Sequence, residues 1–320
     1  MNMSFIRKAS SGLLFSLVML SGSVAASDKL IVAHDMWVGY SGFFVAKAKG
    51  FFKEVDLEIE AVEFSGPGDT VPPLVAGHID IALTTLYNLS LATGKGADGL
   101  KAIYLLDTSD GADAIVASPN IASIKDLKGK KIAVTTGEVN HLLLIAALNK
   151  AGIKESEVKL VNMNADDAGA AFIAGQVDAA VTWEPWVTKA KSAGGEAIFT
   201  SADTPDLILD GIVVTDATLA KKRDELIRFI KAVDKGVLYL RANPKESHSY
   251  VAKALGVSSE EAADMLLGDK VYDIIDNKIL LAAGGSGYGS LEAVIEFLSE
   301  QSLIDAKFDG SNLLTKDLLP

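Results

Sequence analysis

Six carboxylates sit where short apolar runs of the chain give out: Asp35, Asp107, Asp110, Glu138, Glu184 and Asp210. The three tryptophans, Trp37, Trp183 and Trp186, fall in the same stretches. A carboxylate accepts protons from an amine, an amidine or an amide N–H, and an indole face attracts positive charge. Acids and indoles together therefore suit a nitrogen-rich ligand. The four arginines, Arg7, Arg223, Arg228 and Arg241, all lie elsewhere, so a forked clamp on a carboxylate or sulfonate is not available. An anion would have to be held by free backbone N–H groups at helix starts. Ser41-Gly42 and Thr136-Gly137-Glu138 both lead into such starts.

The same inventory gives little to catalysis. His34, His78, His141 and His248 are scattered, without the HxH or HExxH spacing of a metal site. A GxSxG nucleophile turn is absent, and the chain has no cysteine. The expectation is a non-enzyme with no catalytic residue, no metal and no cofactor. GGSGYGS (284–290) does not follow the GxGxxG spacing and reads as a flexible loop between helices.

The elements that must position these residues are written twice. LVAGHIDIALT (74–84) aligns with FIAGQVDAAVT (172–182) at an offset of 98, with Ala, Gly, Asp, Ala and Thr identical. Each copy ends a helix with Gly and continues through Asp into a short apolar strand. Upstream, residues 29–50 and 130–152 both read as strand, loop, helix and terminating Gly. Strands are expected near 29–34, 57–64, 79–84, 101–107, 114–117, 131–135, 158–162, 178–183 and 211–215. Helices are expected at 42–50, 69–76, 88–94, 140–151, 166–174 and 186–193, and after about residue 216 the pattern is helical only, with one long helix ending at Asn243-Pro244. Alternation of this kind predicts an α/β fold of mostly parallel sheets covered by helices. Short crossings at 107–114 and 204–212 predict a second lobe, 114–204, inserted into a first lobe of 27–113 and 205–320, with a hinge of two strand crossings. Ligands of such sheets sit beyond the strand ends. Trp183 and Glu184 are expected as a cleft wall there, with Pro185-Trp186 starting and anchoring the next helix.

Residues 1–26 carry Arg7 and Lys8 before a short apolar run and small residues, the pattern of a cleavable signal peptide. Periplasmic localisation follows as an expectation. Without Arg7 and Lys8, 28 basic residues face 42 acidic ones, a net charge of about −14 that disfavours nucleic acid and anionic lipid as partners. No later stretch is apolar for long enough to span a bilayer, so direct membrane insertion is not expected.

WVGYSGFFVAKAKGFF, LVAGHIDIALTT, DTSDGADAIVA, DLKGKKIAVTTGEVNHLLLIAALNKAGI and AGQVDAAVTWEPW resemble the nitrate/sulfonate/taurine group of ABC-transporter substrate-binding proteins, over about residues 29–250. The resemblance implies a type II periplasmic-binding fold whose two lobes close over a small molecule. It implies as partners an inner-membrane ABC permease with its ATPase, and a monomer. It implies a cleft lined by Trp37, Tyr40, Thr84, Thr85, Gly137, Glu138, Asn140, His141, Trp183 and Glu184. The crossings add Asp107 and Asp210. The ligand expected from it is a taurine, aliphatic sulfonate or nitrate type. Taurine-type members pair an acid with a base, and this chain has the acids with no arginine in register. LLDTSDGADAIVA and VNHLLL also resemble members encoded with urea- or guanidine-processing enzymes, which makes a cationic or amide ligand the alternative. A periplasmic sensor would carry the same sequence features. A pyrimidine-making branch relies on a cysteine-rich motif that is missing here.

Overall fold

The computed structural model describes Met1 and residues 28–320; the signal-peptide reading of 1–26 falls outside the described residues. The first strands and helices alternate as expected: β1 (Asp28–His34), α1 (Ser41–Lys49), β2 (Leu57–Glu63), α2 (Val71–Val75), β3 (Ile81–Thr85), α3 (Leu86–Gly94) and β4 (Leu100–Ser109). The second sheet follows with β5 (Asp113–Ala117), β6 (Lys131–Val134), α4 (Val139–Ala151), β7 (Lys159–Asn162), α5 (Ala165–Ile173), β8 (Ala179–Trp183), α6 (Trp186–Ser192) and β9 (Glu196–Thr200). The chain then returns through β10 (Leu209–Thr215). It continues as α7 (Asp216–Lys221), α8 (Arg223–Ala242), α9 (Pro244–Leu255), α10 (Ser259–Leu267), β11 (Asp269–Val271), α11 (Ile274–Leu280) and α12 (Ser286–Glu300).

Two sheets result, ordered β11-β4-β10-β3-β1-β2 and β7-β6-β8-β5-β9. This is a two-lobed α/β architecture of the type II periplasmic-binding kind. The sheets are mixed, not mostly parallel. β10 and β11 run opposite to the other four strands of the first, and β5 runs antiparallel to both β8 and β9 in the second. β5 and β10, which follow the two crossings, enter their sheets from the cleft end, and that reverses their direction. The expected all-helical tail is interrupted by β11, a three-residue edge strand. GGSGYGS is not a loop: Ser286 opens α12 and Gly287 is buried in its first turn.

The repeat seen in the sequence is a structural one. Thr84 and Thr182 each donate their hydroxyl to a carbonyl 17 residues earlier, Pro67 at 2.8 Å and Ala165 at 2.7 Å. Asp80 and Asp178 each accept an N–H from a parallel strand of their own sheet, from Ile31 of β1 at 2.9 Å and Lys131 of β6 at 2.8 Å. Asp and Thr thus tie together the strands and loops that form one wall of each half-cleft.

The apolar core runs through both lobes. Leu143, Leu144 and Ile145 of α4 belong to the same buried cluster as Leu105 of β4 and Phe297 of α12. On the other face of the first sheet, α1 and α8 pack through Gly42 and Gly236. A Cβ at position 236 would lie 2.0 Å from the Gly42 carbonyl oxygen, so only glycine allows this approach. Gly236→Ala should cost about 1–3 kcal/mol by overpacking. Urea unfolding measures it; a midpoint equal to the parent's would show that the helices can separate freely.

Candidate functional site

A cleft of about 800 Å³ lies between the lobes. Parallel strands bring their carboxyl ends to it and antiparallel strands their starts. β1 leads into Asp35, Met36 and Trp37; β2 into Glu63–Asp69; β3 ends at Thr85. From the second lobe, β6 leads into Thr135 and Glu138, β7 into Asn164–Asp167, and β8 ends at Trp183. Asp113 opens β5, and Asp210 lies one residue into β10, directly opposite Thr85. Leu255, Gly256, Val257 and Met265 close one side from α9 and α10.

Eight of the twelve residues expected in the site line this cleft: Trp37, Tyr40, Thr85, Glu138, Asn140, Trp183, Glu184 and Asp210. Four do not. Thr84 is fully buried and spent on the Pro67 carbonyl. Asp107 is fully buried one layer below the floor, where a Cβ on Gly39 would lie 2.1 Å from its carboxyl carbon. Gly137 faces Leu303 of the C-terminal region. His141 is buried with its ring edge on Phe297, at 6.0 Å, and its Nδ1 accepts the Gly137 N–H. Asp110, the sixth acid noted at the strand ends, is exposed at the hinge. Trp186 departs from expectation in the other direction: besides opening α6 it lines the cleft, with Lys189 4.6 Å over its ring.

Sequence reading passed over Glu63–Asp69, Asp113 and Asn164–Asp167. Strand ends were the available signal for the first and third, since both follow parallel strands. Asp113 needed the antiparallel course of β5.

The chemistry is acidic. Nine carboxyl side chains line the cleft (Asp35, Glu63, Asp69, Asp113, Glu138, Asp166, Asp167, Glu184 and Asp210) against one base, Lys189. Burial, with Asp166 nearby, pushes the Asp35 carboxyl up to about 7. Burial also raises Asp113 to about 7 and, with Asp107 and Asp35 beside it, holds Asp210 well above the usual carboxylate range. Tyr40 donates to Asp210 at 2.9 Å, while Asp35 Oδ1 and Asn140 Nδ2 are buried without a protein partner. Among the described residues no group of three or more His, Cys, Asp or Glu side chains could hold a metal ion.

Three helix starts at the cleft are already served by the protein's own oxygens, while the start of α4 has no side-chain cap. Glu184 accepts from the Thr188 N–H and hydroxyl, at 3.0 and 2.9 Å. Asn164 accepts from the Asp167 N–H at 2.8 Å, with Asp166 and Asp167 in the first turn of α5. Thr85 accepts from the Asn88 N–H at 3.0 Å. An anion meets occupied donors and like charge at these three positions.

One bond spans the cleft. Asn88 of the first lobe donates to Glu138 of the second at 2.8 Å, its amide oriented by the Thr85 hydroxyl on its oxygen at 2.5 Å. A hydrogen bond to a charged group contributes about 1.5–3 kcal/mol. Asn88→Ala should shift the ligand-free lobes toward an open arrangement, read as a larger radius of gyration by small-angle scattering. An unchanged radius would mean that the packed seam at α4 and α12 alone holds the lobes.

Comparison with known proteins agrees with this architecture. The sequence model of the family described as "NMT1/THI5 like" matches residues 37–247. A provisionally named binding protein of Brucella abortus (strain 2308) is 28% identical over 243 residues, covering 73% of this chain and 75% of its own. The taurine-binding periplasmic protein of Escherichia coli (strain K12) is 28% identical over 241 residues, covering 70% and 73%. Among solved structures, the periplasmic aliphatic sulphonate binding protein SsuA of Escherichia coli superposes with a TM-score of 0.78 at 21% identity, over 90% of this chain and 92% of its own. Similarity of fold, length and sequence extends over most of the described residues, and the chain belongs to the NMT1/THI5-like family.

Proposed function

We propose that this chain is the solute-binding component of an ABC importer and that its ligand is a small nitrogen cation or an N–H-rich neutral compound. Exported by its leader, it works in the periplasm without chemistry of its own and hands the ligand to an inner-membrane permease. Family membership and the binding-protein names of its relatives support the role. The ligand class rests on one observation: nine carboxyls against one lysine in the cleft. A guanidinium, amidinium or ammonium group would donate to Asp35 and Asp210, and the faces of Trp37 and Trp183 would supply cation–π attraction. Closure follows only if the closed state touches the ligand better than the open one.

Thermal unfolding of ligand-stripped protein against guanidine, methylamine, choline, urea, taurine, ethanesulfonate and nitrate tests this. A ligand at 100 times its Kd stabilises by about 2.7 kcal/mol, a rise of several degrees. A rise with the cations or urea supports the reading. A rise confined to taurine, sulfonate or nitrate overturns it and returns the ligand to the sulfonate class of the relatives.

A further inference from the structure

Beneath the cleft floor lies a group of carboxyls that no ligand in the cleft would touch. β11, β4 and β10 lie side by side, and Asp107 of β4 is in register with Asp210 of β10. Asp269 of β11 is in register with Ser109, two residues along β4 from Asp107. Asp107 Oδ1 accepts the Trp37 indole N–H at 2.9 Å, but its Oδ2 is buried and without a donor. Both carboxylate oxygens of Asp269 are buried in the same condition, and the register places Asp269 on the same face of the sheet as Asp107 of the neighbouring strand. Two buried carboxyl groups on adjacent strands, with no donor at three of their four oxygens, do not both stay ionised.

The surroundings keep that proton in place. Asp110, Asp113 and Asp210 act on the pair from the neighbouring strands and loops, the Tyr40 and Tyr272 phenols lie near Asp107, and Asp35 acts on Asp210. Lys270, the next residue of β11, instead places its Nζ 5.3 Å from the Tyr272 ring centroid. Burial first and these acids second hold Asp107 and Asp269 well above the usual carboxylate range. Among the described residues no lysine, arginine or histidine compensates them. A separate observation points to the cleft itself: the Asp35 side chain, 5% exposed, lines the cleft and has a buried Oδ1 that no protein donor meets.

We propose that capture of a cation at the cleft floor expels a proton held by the Asp107 and Asp269 pair, so that binding exchanges a ligand cation for a proton released to solvent. The inference rests on the cation reading of the cleft. A positive charge beside Asp210 favours ionisation of Asp107 in the next strand, and the total charge of the buried group is conserved. Affinity accordingly rises with pH until the proton is already lost.

Titration calorimetry of the full, ligand-stripped protein at pH 7 tests this, with guanidinium chloride and methylamine hydrochloride as probes in phosphate, imidazole and Tris. The dependence of the observed heat on the ionisation heat of the buffer counts the protons released. The expected result is close to one per cation bound. In Asp269→Asn, whose side chain is of the same shape and outside the cleft, the cation still binds and the count falls to the smaller release from Asp35 and Asp210, which meet the cation directly, while a count equal to the parent's overturns the assignment to this pair; Asp107→Asn serves as the second variant if the first does not fold. Cation binding with a heat independent of buffer overturns the proton exchange and leaves the cation reading standing. No binding heat with either cation counts against the cation reading, and the exchange falls with it.

Discussion

Asp35→Asn should weaken cation binding by about 2–5 kcal/mol, roughly 30- to several thousand-fold in Kd, the usual result of truncating one member of a buried charge pair. Asp35 follows β1, is 5% exposed, and keeps one oxygen free of protein donors within the cleft. An amide there loses the charge and turns a donor toward the ligand's own N–H groups. Asp69→Asn is the control: Asp69 lines the cleft but is exposed, so solvent screens it and the loss should stay under about 1 kcal/mol. The Asp35 carboxyl titrates at about 7, so affinity should also fall as pH drops below that value. Calorimetric Kd values for the two variants would contradict the assignment if both stayed within threefold of the parent.

The second large effect is on stability without ligand. Asp35 and Asp113 titrate at about 7 in the folded protein because burial disfavours their charge, against about 4 in an unfolded chain. Between those values the folded state binds more protons than the unfolded one, so stability falls as pH rises through the window. Three units correspond to at most about 4 kcal/mol for each group. Asp107, Asp210 and Asp269 are raised in the same direction. His34 and His141 oppose the trend below their unfolded value, since burial lowers both, but five carboxyls outnumber two imidazoles. The ligand-free protein should therefore be more stable near pH 5 than near pH 8. Asp113→Asn should recover about 2–4 kcal/mol of the difference at pH 8 and gain little near pH 4. Urea unfolding across that range checks both; stability that rises steadily from pH 5 to 8 would refute the buried-acid account.

Much of this was legible in the sequence because local patterns decided it. The paired AG…D…T segments fold twice into the same helix, turn and strand, with Asp and Thr making equivalent bonds in each lobe. What local pattern could not supply was direction and depth. Whether β5 and β10 run parallel or antiparallel depends on how the chain crosses between lobes, and that decides which ends of them reach the cleft. Asp113 was missed for this reason. Asp107 was misplaced because being near a strand end does not reveal which layer a side chain occupies, and the close approach of Gly39 shuts it away. His141 and Gly137 sit at a true helix start, but α12, nearly 150 residues later, covers that side. The expected long helix ending at Asn243-Pro244 breaks near its start at Lys222, whose φ of −128° and ψ of 32° are non-helical and separate α7 from α8. EAIFT, which forms β9, pairs only with β5 at the sheet edge and carries too short an apolar run to stand out.

The most direct test of the account is a crystal structure of the protein with the ligand that stabilises it most. The account predicts a nitrogen of the ligand within about 3 Å of both Asp35 and Asp210, with Trp37 or Trp183 against its face. An anionic group seated on the first N–H groups of α4, with Asp35 and Asp210 untouched, would contradict it.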